Sequence, residues 1–210
     1  MKRPPLVALS LLAGCLLAAN LQPNLPAQSA SAKPKAANAK EPAKPVRKPD
    51  VVFVPTPQEA VEKMLQMAEI KKGDVVYDLG CGDGRIVVTA ARKYGVKAIG
   101  FDIDPQRVKE SLENVRTNHV GHLVTIRQED IFTLDLSEAS VVTLYLLPEL
   151  NVKLMPQLSK LKPGSRIISF DFDMRGAKPK ETHNGSTKDE GQEFTIYKWV
   201  VPWEKEAQGD

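Results

Sequence analysis

The chain has 210 residues, 42% hydrophobic and 26% charged, which suffices for one domain with a buried core but not for two plus the low-complexity head described next. That balance excludes wholesale disorder and a polytopic membrane protein. The formal charge of +3 is lopsided: residues 51–210 hold 21 basic against 24 acidic side chains, so the basic character belongs to the head, and no nucleic-acid partner is expected.

Residues 1–19 read as a short export signal, with Lys2 and Arg3 at the charged start and an apolar stretch from Leu6 to Leu12. The stretch ends in Leu12-Ala13-Gly14-Cys15, which resembles the lipobox of bacterial lipoproteins and implies cleavage before Cys15, a lipid on that cysteine and a membrane-tethered, exported protein. A plain signal cut near Ala30 or Ala32, an uncleaved anchor over Leu6 to Leu21, and a domain facing the cytoplasm stay open. Residues 20–50 form a linker. Between Pro26 and Pro49 lie five Pro, seven Ala and five Lys with almost no large apolar side chain, so nothing there offsets the entropy of ordering. Cys81 is the only cysteine besides Cys15, and no structural disulfide is implied.

The domain is expected over 51–205. Val51 to Val54 reads as a short extended stretch. Thr56-Pro57-Gln58-Glu59 has the form of a capping box, with Thr56 as N-cap. Ala60, Val61, Met64, Leu65 and Ala68 then follow at helical spacing. A strand over Val75 to Leu79 precedes a glycine loop, and Arg85 to Tyr94 reads as a helix. Strands are predicted at Lys97 to Phe101, Val124 to Arg127, Val141 to Leu146 and Arg166 to Phe170. A helix opens at Asp104-Pro105 with Val108, Leu112 and Val115 as its stripe, and helical pieces around Pro148 to Leu161 are interrupted by Pro156. This alternation predicts an α/β fold with a doubly wound, mostly parallel, Rossmann-like sheet. After Phe170 the pattern stops: 171–192 reads as irregular, and Glu193 to Val201 as a final antiparallel strand at or near the sheet edge.

In such a sheet ligands bind beyond the carboxyl ends of the strands. The loop there runs Asp78-Leu79-Gly80-Cys81-Gly82-Asp83-Gly84. Position 85 is Arg where a nicotinamide fingerprint needs Gly, and no Gly-Lys-Ser/Thr of a P-loop is present. A carboxylate stands where a pyrophosphate would want none. A ligand with an amino group and a ribose but no phosphate suits the loop better. Asp102, ending the second strand, can accept ribose hydroxyls. Ile103 can cover an adenine face, and Asp130 offers a carboxylate to an exocyclic amine.

With these residues the chain resembles, from about Val52 to Val201, the class I seven-strand S-adenosylmethionine-dependent methyltransferases. The resemblance implies S-adenosyl-L-methionine as cofactor. Asp78, Gly80, Gly82 and Gly84 would then hold its amino-acid part, Asp102 the ribose, and Ile103 and Asp130 the adenine. Three segments, Val54-Pro55-Thr56-Pro57, Asp78 to Val87 and Tyr145-Leu146-Leu147-Pro148-Glu149, are similar to small protein-lysine methyltransferases. That subgroup is related to archaeal enzymes and to mitochondrial ones acting on the adenine nucleotide translocase and the c-type protein of ATP synthase. The likeness implies a protein substrate with a target lysine and an acceptor channel bordered by Thr56, Tyr145, Pro148 and Glu149. Each also has a purely structural reading, as N-cap, core residue or helix start. Asn/Asp-Pro-Pro-aromatic, carried after the fourth strand by amino-directed nucleic-acid methyltransferases, is missing. A hard cation would lack ligands there, and His119 and His122 have no further partner for zinc, so no metal is expected. A monomer is expected, and no catalytic base is assigned. Asp171 and Asp173 could orient an ammonium or simply be solvated. A small-molecule acceptor (quinone, lipid or amine) and an exported, non-catalytic adenosyl-ligand-binding protein are the other readings.

Overall fold

The computed structural model describes residues 48–189 and 191–206. The expectations for the signal, for Cys15 and for most of the linker therefore lie outside the described residues.

Helix α1 (Gln58–Met67) buries Ala60, Val61, Met64, Leu65 and Met67, the positions that helical spacing assigns to one face. Its start corrects the expectation of a capping box. Pro57 is the N-cap and no side chain caps the helix. Thr56 is buried instead, with its carbonyl accepting from Arg85 Nη1 at 2.7 Å. The Glu59 carboxylate reaches the Lys188 amide at 3.1 Å rather than a first-turn N–H.

Strands β1 (Val75–Leu79), β2 (Lys97–Asp102), β3 (Val124–Gln128), β4 (Val141–Leu144) and β5 (Arg166–Phe170) are mutually parallel. Helices α2 (Arg85–Tyr94) and α3 (Pro105–Thr117), a 3-10 turn (Ile131–Thr133) and α4 (Pro148–Leu158) lie on the connections between them. Residues alternate between the two sheet faces with the strand period of two. Val76, Val141, Ile168 and Phe170 pack with α1 and α2, whereas Tyr77, Val142, Leu144 and Ile167 pack with α4. Pro156 does not break α4. It sits in the last turn, where the one carbonyl it leaves without an N–H partner belongs to exposed Val152 and can be hydrated.

The C-terminal third departs most from expectation. Residues Glu181–Ser186, expected to be irregular, form β7, and β8 (Glu193–Val200) lies between β5 and β7 rather than at the edge. The order is β3-β2-β1-β4-β5-β8-β7, with β8 antiparallel to both neighbours. Two short strands, β6 (Ala177–Lys178) and β9 (Glu204–Lys205), pair separately. Buried Lys198 on β8 reaches Glu69 at 2.5 Å and Glu181 of β7 at 3.4 Å, which neutralises the one cation in an otherwise apolar stretch. The expected extended stretch at 51–54 joins no strand.

Helix α3 is rotated relative to the predicted stripe. Ser111 and Val115 are its buried residues, while Leu112 is about half exposed. The cause is the glycine loop: Ser111 Oγ donates to the Gly82 carbonyl at 2.7 Å, and a Cβ on Gly84 would sit 3.0 Å from that same oxygen.

Candidate functional site

Sheet order reverses between β1 and β4, and at their carboxyl ends lies a cavity of about 250 Å³, the position at which open α/β sheets bind ligands. Asp78, Gly80, Asp102, Ile103 and Asp130 all line it, as do Thr56 and Tyr145. Residues 49–54 complete the wall on the outer side.

Gly80, Gly82 and Gly84 have φ of +83°, +54° and +78°, a region that side chains with a Cβ rarely adopt. Their surroundings differ. A Cβ on Gly82 would lie 2.1 Å from the Phe53 ring, so this glycine lets the 49–54 segment settle onto the loop. Gly84 faces Ser111 of α3, away from the cavity lining. Gly100 of β2 belongs to the same packing, because a Cβ there would meet Cys81 Sγ at 2.8 Å.

Asp78 is buried at the end of β1. Thr143 Oγ1 donates to its Oδ1 at 2.8 Å, and Oδ2 has no hydrogen-bond partner. Burial, against the Thr143 hydrogen bond and with the charges of Asp102 and Asp83 adding to it, pushes this carboxyl up to about 7. Asp102 is also shifted upward, chiefly by burial and against the bonds it accepts. Its Oδ2 accepts from Gly82 N at 2.8 Å and its Oδ1 from Asp104 N at 2.9 Å, which leaves a further lone pair on each oxygen for hydroxyl donors. Asp130 Oδ1 caps the 3-10 turn through Phe132 N at 3.0 Å. Asp83 is held below the usual carboxylate range: burial would raise it, but the forked Arg85 guanidinium outweighs that, with contacts of 3.0 and 2.6 Å. Burial, joined by the Asp78 charge, raises the Cys81 thiol, so Cys81 acts here as packing beneath the loop.

The other end of the cavity is apolar and aromatic. Tyr145 packs edge-on against buried Phe170 at 4.7 Å and lies nearly parallel to Phe172, at 6.1 Å and 21°. Leu146, Leu147, Leu150 and Phe172 share that wall. Pro148 and Glu149 do not reach the lining. Pro148 is the first residue of α4, and Glu149 pairs with Arg175 at 3.2 Å on the surface. Asp171 and Asp173 also lie outside the lining. Sequence reasoning missed Phe53, Arg107 and Phe172. Arg107 stacks over the Phe53 ring at 4.8 Å. Aromatic residues flanking a glycine loop or ending a strand are the signal that could have raised them, but ordinary core residues give the same signal.

Chemically the cavity pairs two halves. One is acidic and carries an orphaned buried acceptor suited to a cationic N–H donor, together with a carboxylate suited to a diol. The other is uncharged and aromatic. This donor set fits S-adenosylmethionine, whose ammonium and ribose hydroxyls would use the first half and whose methyl group would face the second.

The ANTKMT methyltransferase domain family matches residues 78–181. A protein-lysine N-methyltransferase of Saccharolobus islandicus is 44% identical over 155 residues, covering 73% of this chain and 95% of the relative. A lysine N-methyltransferase of Rattus norvegicus, named for the C protein of ATP synthase, is 31% identical over 142 residues, covering 65% and 63%. The crystal structure of an RNA methyltransferase from Salinibacter ruber in complex with S-adenosyl-L-homocysteine is similar as well. It has 44% identity and a TM-score of 0.65 over 75% of this chain and 98% of that one. Sheet order, cavity and these matches together show that the chain belongs to the ANTKMT family of class I, S-adenosylmethionine-dependent methyltransferases.

Proposed function

We propose that this methyltransferase acts on the side-chain amine of a lysine in a protein substrate. The observation that carries the reading is the division of the cavity into an acidic half under the glycine loop and an uncharged half walled by Tyr145, Leu146 and Phe172. When bound, the cofactor supplies a sulfonium-activated methyl group. Asp78 accepts from its ammonium, Asp102 from the ribose hydroxyls, and Ile103 and Asp130 border the adenine. Gly80 leaves the backbone open to close approach.

The transfer joins the lysine nitrogen to the methyl carbon while the carbon–sulfur bond breaks and its electron pair stays on sulfur. A protonated amine has no lone pair for this step, so the acceptor must first lose its proton to water. The apolar wall favours that loss by desolvating the ammonium. Tyr145 supplies a ring face and a phenol kept protonated, since burial and then the nearby Asp171 charge raise its pKa. The chain's contribution is alignment and a dry path.

An RNA acceptor is the second reading, favoured by the similarity to the RNA methyltransferase of Salinibacter ruber. Against it stands the balance of 21 basic and 24 acidic residues over 51–210, a poor counter-charge for phosphate. The full chain incubated with methyl-labelled cofactor and casein, total RNA or a lipid extract separates these readings. Nε-methyllysine in the hydrolysed casein is expected. Label found only in RNA or in the lipid fraction would replace the lysine reading.

A further inference from the structure

We infer that Phe172 is a specificity-determining residue of the acceptor channel and that buried Asn151 is the positioning residue that aims it, an inference that rests on the lysine-acceptor reading above. Phe172 lies two residues beyond β5, and its ring lines the cavity beside Tyr145. The backbone that presents it is held in a conformation a connecting loop does not need. Asp171 has φ of +58°, in the left-handed region a non-glycine residue seldom occupies, and the Phe172 amide turns back onto the Phe170 carbonyl at 2.7 Å. A reciprocal pair of bonds locks this turn to β8: Asp171 N to Thr195 O at 2.7 Å, and Thr195 N to Asp171 Oδ1 at 2.9 Å.

The second lock comes from the opposite side, through α4. Asn151 is fully buried, and its Nδ2 group donates only into this segment: to Phe172 O at 3.2 Å, Asp173 O at 3.1 Å and Ser169 Oγ at 3.3 Å. Ser169 Oγ in turn donates to the same Phe172 carbonyl at 2.5 Å. The Asn151 Oδ1 atom has no partner. A buried amide left half-satisfied is a poor choice for stability alone, since an apolar residue would avoid the desolvation penalty. Its three contacts all fix the height and direction of Phe172. The result is a pair of near-parallel rings, Tyr145 and Phe172, at the uncharged end of the cavity. Ring faces attract an alkylammonium through its cationic head and pack against its methylene stem. A flat, neutral acceptor gains less from that pair.

The test uses the full chain, methyl-labelled cofactor and casein as the lysine-bearing probe, with cofactor affinity read separately by calorimetry. Phe172→Ala is expected to raise KM for casein and lower kcat/KM by about tenfold, with cofactor Kd within about twofold; Phe172→Tyr should restore most of the loss. Phe172→Leu, which keeps bulk without an aromatic face, gives the same direction should the alanine variant fail to fold. Asn151→Ala is expected to show the same KM-weighted loss, and the Phe172→Ala/Asn151→Ala double variant to lose no more than Phe172→Ala alone, because the amide acts through the ring. Unchanged kcat/KM in both Phe172→Ala and Phe172→Leu, or independent additive losses in the double variant, would overturn the inference. Loss of cofactor binding equal to the loss of transfer would make Phe172 a cofactor wall instead and refute the acceptor role. If the unaltered chain puts no methyl on lysine, the acceptor reading itself fails and takes this inference with it.

Discussion

Asp78 faces opposite demands with and without ligand. Its carboxyl is raised to about 7 by burial, above the ordinary aspartate value near about 4. Between those two values the native, ligand-free protein therefore holds a proton that the unfolded chain has released. This group's contribution to stability is full at the acid end of that window and fades as pH rises through about 7. A cationic ligand reverses the preference by favouring the ionised carboxylate. Cofactor affinity measured by calorimetry should rise from pH 6 to pH 8, whereas the melting temperature of the ligand-free protein should fall over the same range relative to Asp78→Asn. That variant should bind the cofactor about tenfold or more weakly, as expected for losing a hydrogen bond to a charged group, and without the pH dependence. Equal pH profiles for the two proteins would remove Asp78 from the site.

Among the elements, the strands divide into a binding end and a stabilising end. At the amino ends of β1, β4 and β5, Arg166 pairs with Asp74 and also donates to the Ala68 carbonyl at 2.9 Å. Asp74 further accepts from Lys71 N and Ser140 Oγ, each at 2.7 Å. Burial works to raise Asp74, but the Lys71 amide, Ser140 and Arg166 together outweigh it and hold the carboxyl below its ordinary value. The stability this group adds is present above its unfolded value and is lost as pH falls through the folded one. Removing the guanidinium leaves a largely buried charge without its counter-ion. Arg166→Ala is thus expected to cost about 2–3 kcal/mol in denaturant titration, while cofactor affinity, set at the other end of the strands, stays unchanged. The element that carries the acceptor wall, α4, is tied to the 170–173 turn through Asn151, so its effects should appear in transfer kinetics more than in unfolding.

For the whole molecule, the catalytic domain and its address are separable questions. Among the described residues no helix is long and apolar enough to cross a membrane, and the expected lipid attachment rests on Leu12-Ala13-Gly14-Cys15 alone. We propose a lipid anchor at Cys15. Fractionation of cells expressing Cys15→Ser should show the protein released from membranes and unprocessed. Unchanged retention and processing would refute the anchor. Because 49–54 both follows the linker and lines the cavity, transfer should be measured on the full chain.

The binding loop was legible in the sequence because local chemistry dictates it: three glycines within five residues, an acid before them and another ending the next strand have few uses besides a ligand at a switch point. The alternation of strands and helices was legible for the same reason, through periodicities of 2 and 3.6. Strand β7 was not, since Glu181–Ser186 is polar throughout and is held by its register with β8 rather than by burial of its own. The true face of α3 escaped because Ser111, a polar residue, is the one that fits against Gly82 and Gly84. Thr56 looked like a cap until Arg85, 29 residues away, claimed its carbonyl. Phe53 and Phe172 joined the site, and Pro148 and Glu149 left it, through contacts between segments far apart in the chain, which no local pattern encodes. Sequence by itself determined the fold class and the cofactor half of the site, where backbone freedom and single charges decide. Tertiary structure alone decided the acceptor half, where what matters is which aromatic faces meet across a cavity and what buried groups hold them there.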